Sequence, residues 1–359
     1  MTSSMTSAPT GTRRPPDRLT PQAELDPLDR RIIAALQMDG RASWTEIADA
    51  CGTSVATVAR RAQQLLASGV VRVAVIAPDI NHAGPANLFI VRIKCAAGEQ
   101  VQVAEELMRR DDVRLVSLVS GPFDLIAELI VRKDESLSAR LVGDLQAIDG
   151  VLACETDLLL HTYKVSHDWS RQLLTGEAYV PGSSEPHQCD PNHFNEMDRA
   201  ILARLRGDGR AGFRTVARDL ELNERTVRRR FEALRERGCA MVFTLVPAVS
   251  LGFESEIILQ ITVAPSRLDA LARELATYRG VRYVGSTLGA SSLMCEVILP
   301  TTRDVYEFVT QTLGDLDGVQ GWTASMELVT FKRGFVETPW WRRALVDGRS
   351  AWLQPRQPA

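Results

Sequence analysis

Apolar positions recur along this chain with two different periods that alternate in blocks. LDRRIIAALQ sets Leu28, Ile32, Ile33 and Leu36 on one stripe at helical spacing, and DRAILARL does the same with Ile201, Leu202 and Leu205. After each helical block the period changes. ANLFIVRIKC reads as a strand and GEQVQVAEELMRR as a helix; VRLVSLVS and FDLIAELIVR are strands meeting at Gly121-Pro122; DESLSARLVGDLQAI is helical and VLACETDLLLHTYK a closing strand. SEIILQITVA, RLDALARELATY, VRYVGSTL, SLMCEVILP, TRDVYEFVTQTL and VQGWTASMELVTF repeat that succession. The predicted order is βαββαβ, a ferredoxin-like split arrangement, and the fold class is α+β.

The recurrence is a duplication. Leu28 to Val73 aligns without a gap with Met197 to Val242 at a shift of 169 positions. It pairs Asp39-Gly40-Arg41-Ala42 with Asp208-Gly209-Arg210-Ala211, Thr57-Val58 with Thr226-Val227, Arg60-Arg61 with Arg229-Arg230 and Gly69 with Gly238. At a shift of 168, GPFDLIAELI answers GASSLMCEVI and DGVLACETDLLLHTYK answers DGVQGWTASMELVTFK. The expected domains are a tail over 1–24, a helical domain over 25–73, a βαββαβ domain over 74–165, a linker over 166–195, a second helical domain over 196–242, a second βαββαβ domain over 243–334 and a tail over 335–359. Trp340, Trp341 and Trp352 predict that the last tail docks on the body.

Each helical block has the spacing of a winged-type helix-turn-helix. Ala48 allows a close helix approach, Gly52 can take positive φ in the turn, and Val58 packs the second helix back on the first. Ser54 stands at the N-cap of that second helix, which is expected to bury Val55, Val58 and Leu65 and to turn Ala56, Thr57, Arg60 and Arg61 outward. In the second copy Asn223 is the cap, Val227, Phe231 and Leu234 the buried face, and Arg225, Thr226, Arg228, Arg229 and Arg230 the outward one. Small polar residues first and arginines one turn later suit a helix inserted in a major groove of double-stranded DNA. Ser43 and Thr53 complete the candidate DNA-facing set. Glu221 occupies the turn position where the first copy has Gly52, so that turn either avoids positive φ or stores strain.

Bulk composition narrows the class. With 359 residues, 45% hydrophobic and 24% charged, the chain has room for several cores, and a net charge of −3 excludes a protein coated in positive charge. No apolar run approaches the roughly 18 residues of a membrane span and no secretion signal precedes the first block, so the expected compartment is the cytoplasm. Cysteines 51, 95, 154, 189, 239 and 295 lack a CxxC pair and read as reduced thiols. No cofactor and no metal are expected: His187, Cys189 and His193 lie among Pro, Asn and Asp and read as linker residues, and no phosphate loop or nucleophile motif is present.

A helix-turn-helix followed by βαββαβ, with GPFDL in the hairpin between the second and third strands, resembles the Lrp/AsnC family, the leucine-responsive or feast/famine regulators. DGRAS, IADACGTSVATVARR, the Gly69-Val70-Val71 exit strand and Gly121-Phe123-Asp124 carry the resemblance, which covers both units. It implies a sequence-specific DNA-binding transcriptional regulator, here a covalent pseudo-dimer of two Lrp/AsnC effector (RAM-like) domains, able to form further homo-oligomers through them. Family members bind amino acids or other small metabolites near the domain interface. By that analogy an effector sits near Ser120, Gly121, Phe123 and Asp124, and near Thr287, Gly289, Ser291 and Ser292. An aspartate at 124 could pair with an amino group; Ser292 replaces it in the second copy, which is expected to bind a different ligand or none. By the same analogy, the effector would shift the spacing of the two heads or the assembly state.

Two other readings fit the same sequence. Siroheme decarboxylases share the paired architecture and bind a tetrapyrrole; such chemistry wants a proton donor, for which His82, His161, His167, His187 and His193, Tyr163 and Tyr283 are the supply. The other is a scaffold whose helix pairs contact proteins.

Overall fold

The computed structural model describes residues 25–77, 86–133, 135–175 and 194–347. The first head contains α1 (Pro27–Met38), α2 (Trp44–Cys51) and α3 (Val55–Ala67). Asp26 starts α1 by accepting the Leu28 and Asp29 N–H groups, and Ser43 and Glu46 close a capping box on α2. Gly52 ends α2 at φ 62°, and Ser54 accepts the Thr57 N–H to start α3. After strand β1 (Arg72–Ile76) come β2 (Ala86–Cys95), α4 (Gln100–Arg109), β3 (Val113–Val119), β4 (Leu125–Arg132), the π-wound helix α5 (Ala139–Leu145), β5 (Val151–Val165) and α6 (Trp169–Thr175).

The second copy repeats this with α7 (Glu196–Gly207), α8 (Phe213–Asp219), α9 (Glu224–Glu236), β6 (Met241–Leu245), β7 (Ser255–Val263), α10 (Leu268–Thr277), β8 (Val281–Leu288), β9 (Leu293–Leu299), α11 (Thr302–Glu307) and β10 (Val319–Arg333). Short β11 (Val336–Glu337) and α12 (Trp341–Asp347) follow.

The two four-stranded sheets close into one ring. The order β10-β3-β4-β2-β5-β8-β9-β7 returns to β10 through a β7–β10 pairing, every contact antiparallel. Two seams join the copies: β5 to β8, where Leu158 faces Leu288, and β10 to β3, where Glu327 faces Val119. Alternation along each strand sends one face to the ring interior, where Ile90, Leu115, Val119, Ile126, Ile258, Tyr283 and Met294 pack, and the other to outer helices. The closing strands cross over. Val329 and Phe331 of β10 bury into the first copy's core with Val103 and Leu107 of α4, while Tyr163 of β5 packs on the second copy's core with Leu271 and Leu275 of α10.

The exit strands of the heads do not form wings on their own domains. β1 pairs antiparallel with β6, Ala74 opposite Phe243, as a two-stranded ribbon between the heads. The duplicated Asp-Gly-Arg-Ala turns complete this junction. Arg41 donates to the Gly209 and Ala211 carbonyls and lies 4.4 Å from the Phe213 ring centroid; Arg210 donates to the Gly40 and Ala42 carbonyls, 3.9 Å from that of Trp44. Only glycine fits between them: a Cβ on Gly40 would lie 2.7 Å from Thr244 Oγ1, and one on Gly209 2.7 Å from the Ala74 backbone. The spacing of the heads is therefore set by direct contact between them. The βαββαβ domains do not set it by themselves.

The segment expected to be linker is structured over its first ten residues. Trp169 joins the first head's core with Leu251 and Phe253, and Ser170 donates from N and Oγ to Gln37 Oε1 on α1. Of the C-terminal tail, Trp341 docks against Phe331 in the first effector core, whereas Trp352 lies outside the described residues. Val55, expected inside, is 43% exposed, because it is the first residue of α3 and precedes the stripe of Val58, Ala62 and Leu65. Among the described residues no helix is long and apolar enough to cross a membrane, and Cys51, Cys95, Cys154, Cys239 and Cys295 are free thiols.

Candidate nucleic-acid interface and small-molecule site

α3 and α9 are the second helices of two helix-turn-helix units, and each keeps an outward face at its N-terminal end. Ala56 and Arg60 are exposed, Thr57 is half-buried with Oγ1 2.8 Å from Ser54 Oγ, and Arg60 donates along the helix to Gln64. In the second head Arg225, Arg228 and Arg229 are exposed, Thr226 is half-buried, and Arg228 pairs with Glu224 at 3.3 Å. Val227, Phe231 and Leu234 are buried as expected.

The structure divides the candidate DNA contacts. Arg61 turns back to the start of α1, where it meets Asp26 at 2.5 Å and Asp29 at 3.0 Å, and its mate Arg230 meets Asp198 at 3.0 Å. Both guanidiniums tie the second helix of a head to its first, so an outward role for Arg61 and Arg230 is corrected to a positioning one. Asp26 is held below the usual carboxylate range by the Asp29 N–H and by Arg61. Ser43, Ser54 and Asn223 spend their side-chain oxygens on helix N-termini, while Thr53 is half-buried in the turn. Glu221 takes φ 55°, so the second turn keeps the left-handed conformation of Gly52 with a side chain on it.

The hairpin loops of the two effector domains differ more than their shared glycine suggests. In the first, Ser120 bonds Met326 across the seam through both backbone and Oγ, and Gly121 (φ 108°) lies beside Ser325. Asp124 Oδ2 accepts the Cys95 N–H at 2.9 Å and meets Lys94 at 3.4 Å. In the second, Ser292 Oγ accepts the Val263 N–H at 3.1 Å, the matching bond. Asp124 and Ser292 thus share a role in pinning the loop to the neighbouring strand, and an amino-group partner for Asp124 is not needed to explain it. Thr287 Oγ1 donates to the Ser291 carbonyl, and both residues are buried.

Gly289 and Ala290 rest on Asp157, whose Oδ1 accepts the Ala290 N–H at 3.0 Å while its carboxylate holds Arg92 at 2.7 Å; both side chains are buried. Phe123 faces Arg92 at 5.7 Å. At the matching places the other copy has Ser325 and Gln260, so this charged pair exists on one side only.

Sequence reasoning also missed a buried ionic cluster inside the ring, made by residues far apart in the chain. Arg282 bridges Glu256, Glu296 and Glu327, and Arg333 holds Glu296 and Glu327, each at 2.8 Å. Ser117 donates to Glu327 at 2.7 Å. Burial pushes the Glu327 carboxyl up to about 7, aided by Glu296 and Glu256, against the pull of Arg333. Burial and the nearby Arg114 lower His167 to about 4; its ring stands edge-on to Phe243 of the ribbon. The three glutamates lie close enough to share a cation, but each already faces a guanidinium. His82, His187, Cys189 and His193 lie outside the described residues.

Comparison with known proteins follows the same division. The AsnC-type helix-turn-helix domain matches residues 25–66 and 194–235, and the Lrp/AsnC ligand binding domain matches residues 88–169 and 256–336. The HTH-type transcriptional regulator FL11 of Pyrococcus abyssi is 31% identical over 147 residues, covering 40% of this chain and 94% of the relative. The HTH-type transcriptional regulator Ptr1 of Methanocaldococcus jannaschii is 30% identical over 142 residues, 39% of this chain and 96% of the relative. The crystal structure of the siroheme decarboxylase NirDL in complex with an iron-uroporphyrin III analogue covers 90% of this chain and all of its own, at a TM-score of 0.55 and 14% identity; it shares the fold. This chain belongs to the Lrp/AsnC family, as a double-length member carrying both of the family's domains twice.

Proposed function

We propose that the chain is a sequence-specific DNA-binding transcriptional regulator that reads an asymmetric operator with two unlike heads on one polypeptide. The observation that carries this reading is the exposure of Ala56 and Arg60 on α3 and of Arg225 and Arg229 on α9, on heads locked together by the β1–β6 ribbon. Identical heads on a symmetric dimer require a palindrome, whereas Ala56-Thr57 against Arg225-Thr226 fits unequal half-sites. The names of the relatives, FL11 and Ptr1, both transcriptional regulators, support the same class. A gel shift against the protein's own upstream region, competed with random-sequence duplex, tests it; equal competition by both duplexes would remove the sequence-specific part.

An amino acid or similar metabolite is the proposed effector. The more open loop, at Ser120, Gly121, Phe123 and Asp124, is its favoured place, because Thr287 and Ser291 of the other loop are buried. Because the heads touch directly, the effector acts on the assembly of several chains through their effector domains rather than on head spacing. The fold shared with NirDL keeps an enzymatic reading in view. A tetrapyrrole titration followed by absorbance separates it from the regulator.

A further inference from the structure

Duplication puts matching residues of the two heads at the same structural positions, so their outward faces can be compared directly. On α8, Arg214 and Arg218 stand where α2 has Thr45 and Asp49; on α9, Arg225 and Arg228 stand where α3 has Ala56 and Ala59. Only Arg229 keeps a cationic counterpart, Arg60. All five of these second-head arginines are exposed. Counter-charges do not cancel the difference. Glu224 meets Arg228 at 3.3 Å, Asp219 meets Arg218 at 3.2 Å, and Glu221 and Glu232 are exposed, so five arginines stand against four acids, whereas on the matching helices the first head sets Arg60 against Glu46 and Asp49. The second face is the more basic of the two by about two charges.

We propose that the chain engages duplex DNA electrostatically through its second head alone, the first head adding base contacts without neutralising phosphates. This rests on the DNA-binding reading above and assigns the work within it. Affinity for a duplex comes chiefly from phosphates neutralised by Lys and Arg with release of counterions, and the second head carries the groups that do this. The first head needs little charge of its own. The Arg41 and Arg210 contacts and the ribbon deliver it to the groove as the second head lands, so its approach costs little further freedom. Its small residues, Ala56 and Thr57, then meet thymine methyls and base edges.

The test is a salt titration of binding by the full chain, using random-sequence duplex and the protein's own upstream region as probes. The R225A/R228A/R229A variant should flatten the slope of log K against log salt by about 2 to 3, and R60A should leave it nearly unchanged. A D49R/A56R/A59R variant, which gives the first head three of the four arginines it lacks, should steepen it by about 2 to 3. An unchanged slope in the triple variant, or equal flattening by R60A, overturns the assignment. Failure of the wild-type chain to bind either duplex at low salt overturns the DNA reading itself, and this inference with it.

Discussion

Lys164 and Lys332 hold matching positions in the two copies, and each caps a helix of the other copy. Lys164 Nζ donates to the Tyr278 carbonyl at the end of α10 at 2.9 Å; Lys332 Nζ donates to the Met108 and Arg110 carbonyls at the end of α4, at 2.9 and 2.7 Å. Both are nearly fully buried, and burial lowers each to about 8. An ammonium at a helix C-terminus satisfies carbonyls that have no partner within the helix and complements the dipole there.

Replacing either lysine by methionine should therefore destabilise the fold by about 1 to 3 kcal/mol, since a buried carbonyl loses its donor. Urea unfolding measures this. The pH dependence has a definite sign. Folded, each group releases its proton near 8, and unfolded near the ordinary 10.5, so stability rises across that window in the wild type. The rise relative to the K164M/K332M double variant is the expected signature, and parallel pH curves would remove the assignment.

The head junction gives a steric prediction. Gly209→Ala sets a methyl group against the Ala74 backbone, which cannot swing aside, and should cost about 1 to 3 kcal/mol. Hydrogen exchange in β1 and β6 should accelerate while that of the ring strands stays unchanged.

The two kinds of arginine on the recognition helices should separate in experiment. Arg60→Ala should weaken operator binding by about 1 to 3 kcal/mol where a bidentate base contact is lost, and Arg229→Ala should weaken binding to operator and random duplex alike, both with thermal stability unchanged. Arg61→Ala and Arg230→Ala should instead lower the melting temperature, because they release Asp26, Asp29 and Asp198. Calorimetry on the same four proteins used for gel shifts distinguishes the two.

Glu221 invites a stabilising change. An L-residue at φ 55° costs about 1 kcal/mol relative to glycine, so Glu221→Gly should raise stability by up to that amount, less the greater freedom of glycine in the unfolded chain. Chemical denaturation of the variant reads the gain directly, and a loss would mean that the Glu221 side chain has a favourable contact.

Glu327 supplies the opposite pH sign to the lysines. Its carboxyl titrates near 7 when folded and near 4.5 when unfolded, so the stability it contributes is present below 4.5 and lost as pH rises through 7. The wild-type chain measured against Glu327→Gln should show this decline between those limits. A flat difference would place the proton elsewhere in the cluster.

Local pattern carried much of this architecture. The helical stripes, the strand order and the turn at Gly52 follow from periodicity and residue type over a few positions. What pattern could not supply is pairing between distant segments. Ring closure at Leu158–Leu288 and Glu327–Val119, and the ribbon at Ala74–Phe243, are choices among edges that look alike in sequence. The ionic cluster was invisible for the same reason, since Glu256, Arg282, Glu296, Glu327 and Arg333 meet only once the ring is closed. The Asp-Gly-Arg-Ala turns were a missed signal: a motif repeated outside the recognition helices, in both copies, marked the surface the heads share. Arg61 and Arg230 misled because the acids that draw them inward, Asp26, Asp29 and Asp198, lie 32 to 35 residues away at the start of the first helix of each head.

The ring leaves no free edge on any of its eight strands, β2 to β5 and β7 to β10. Its halves share one backbone, so dilution does not separate them and their local concentration never falls. A chain built this way cannot exchange one half of its ring for a half from another chain. Each half was thus free to change on its own, as the Arg92–Asp157 pair of the first copy and the Gln260 and Ser325 of the second show.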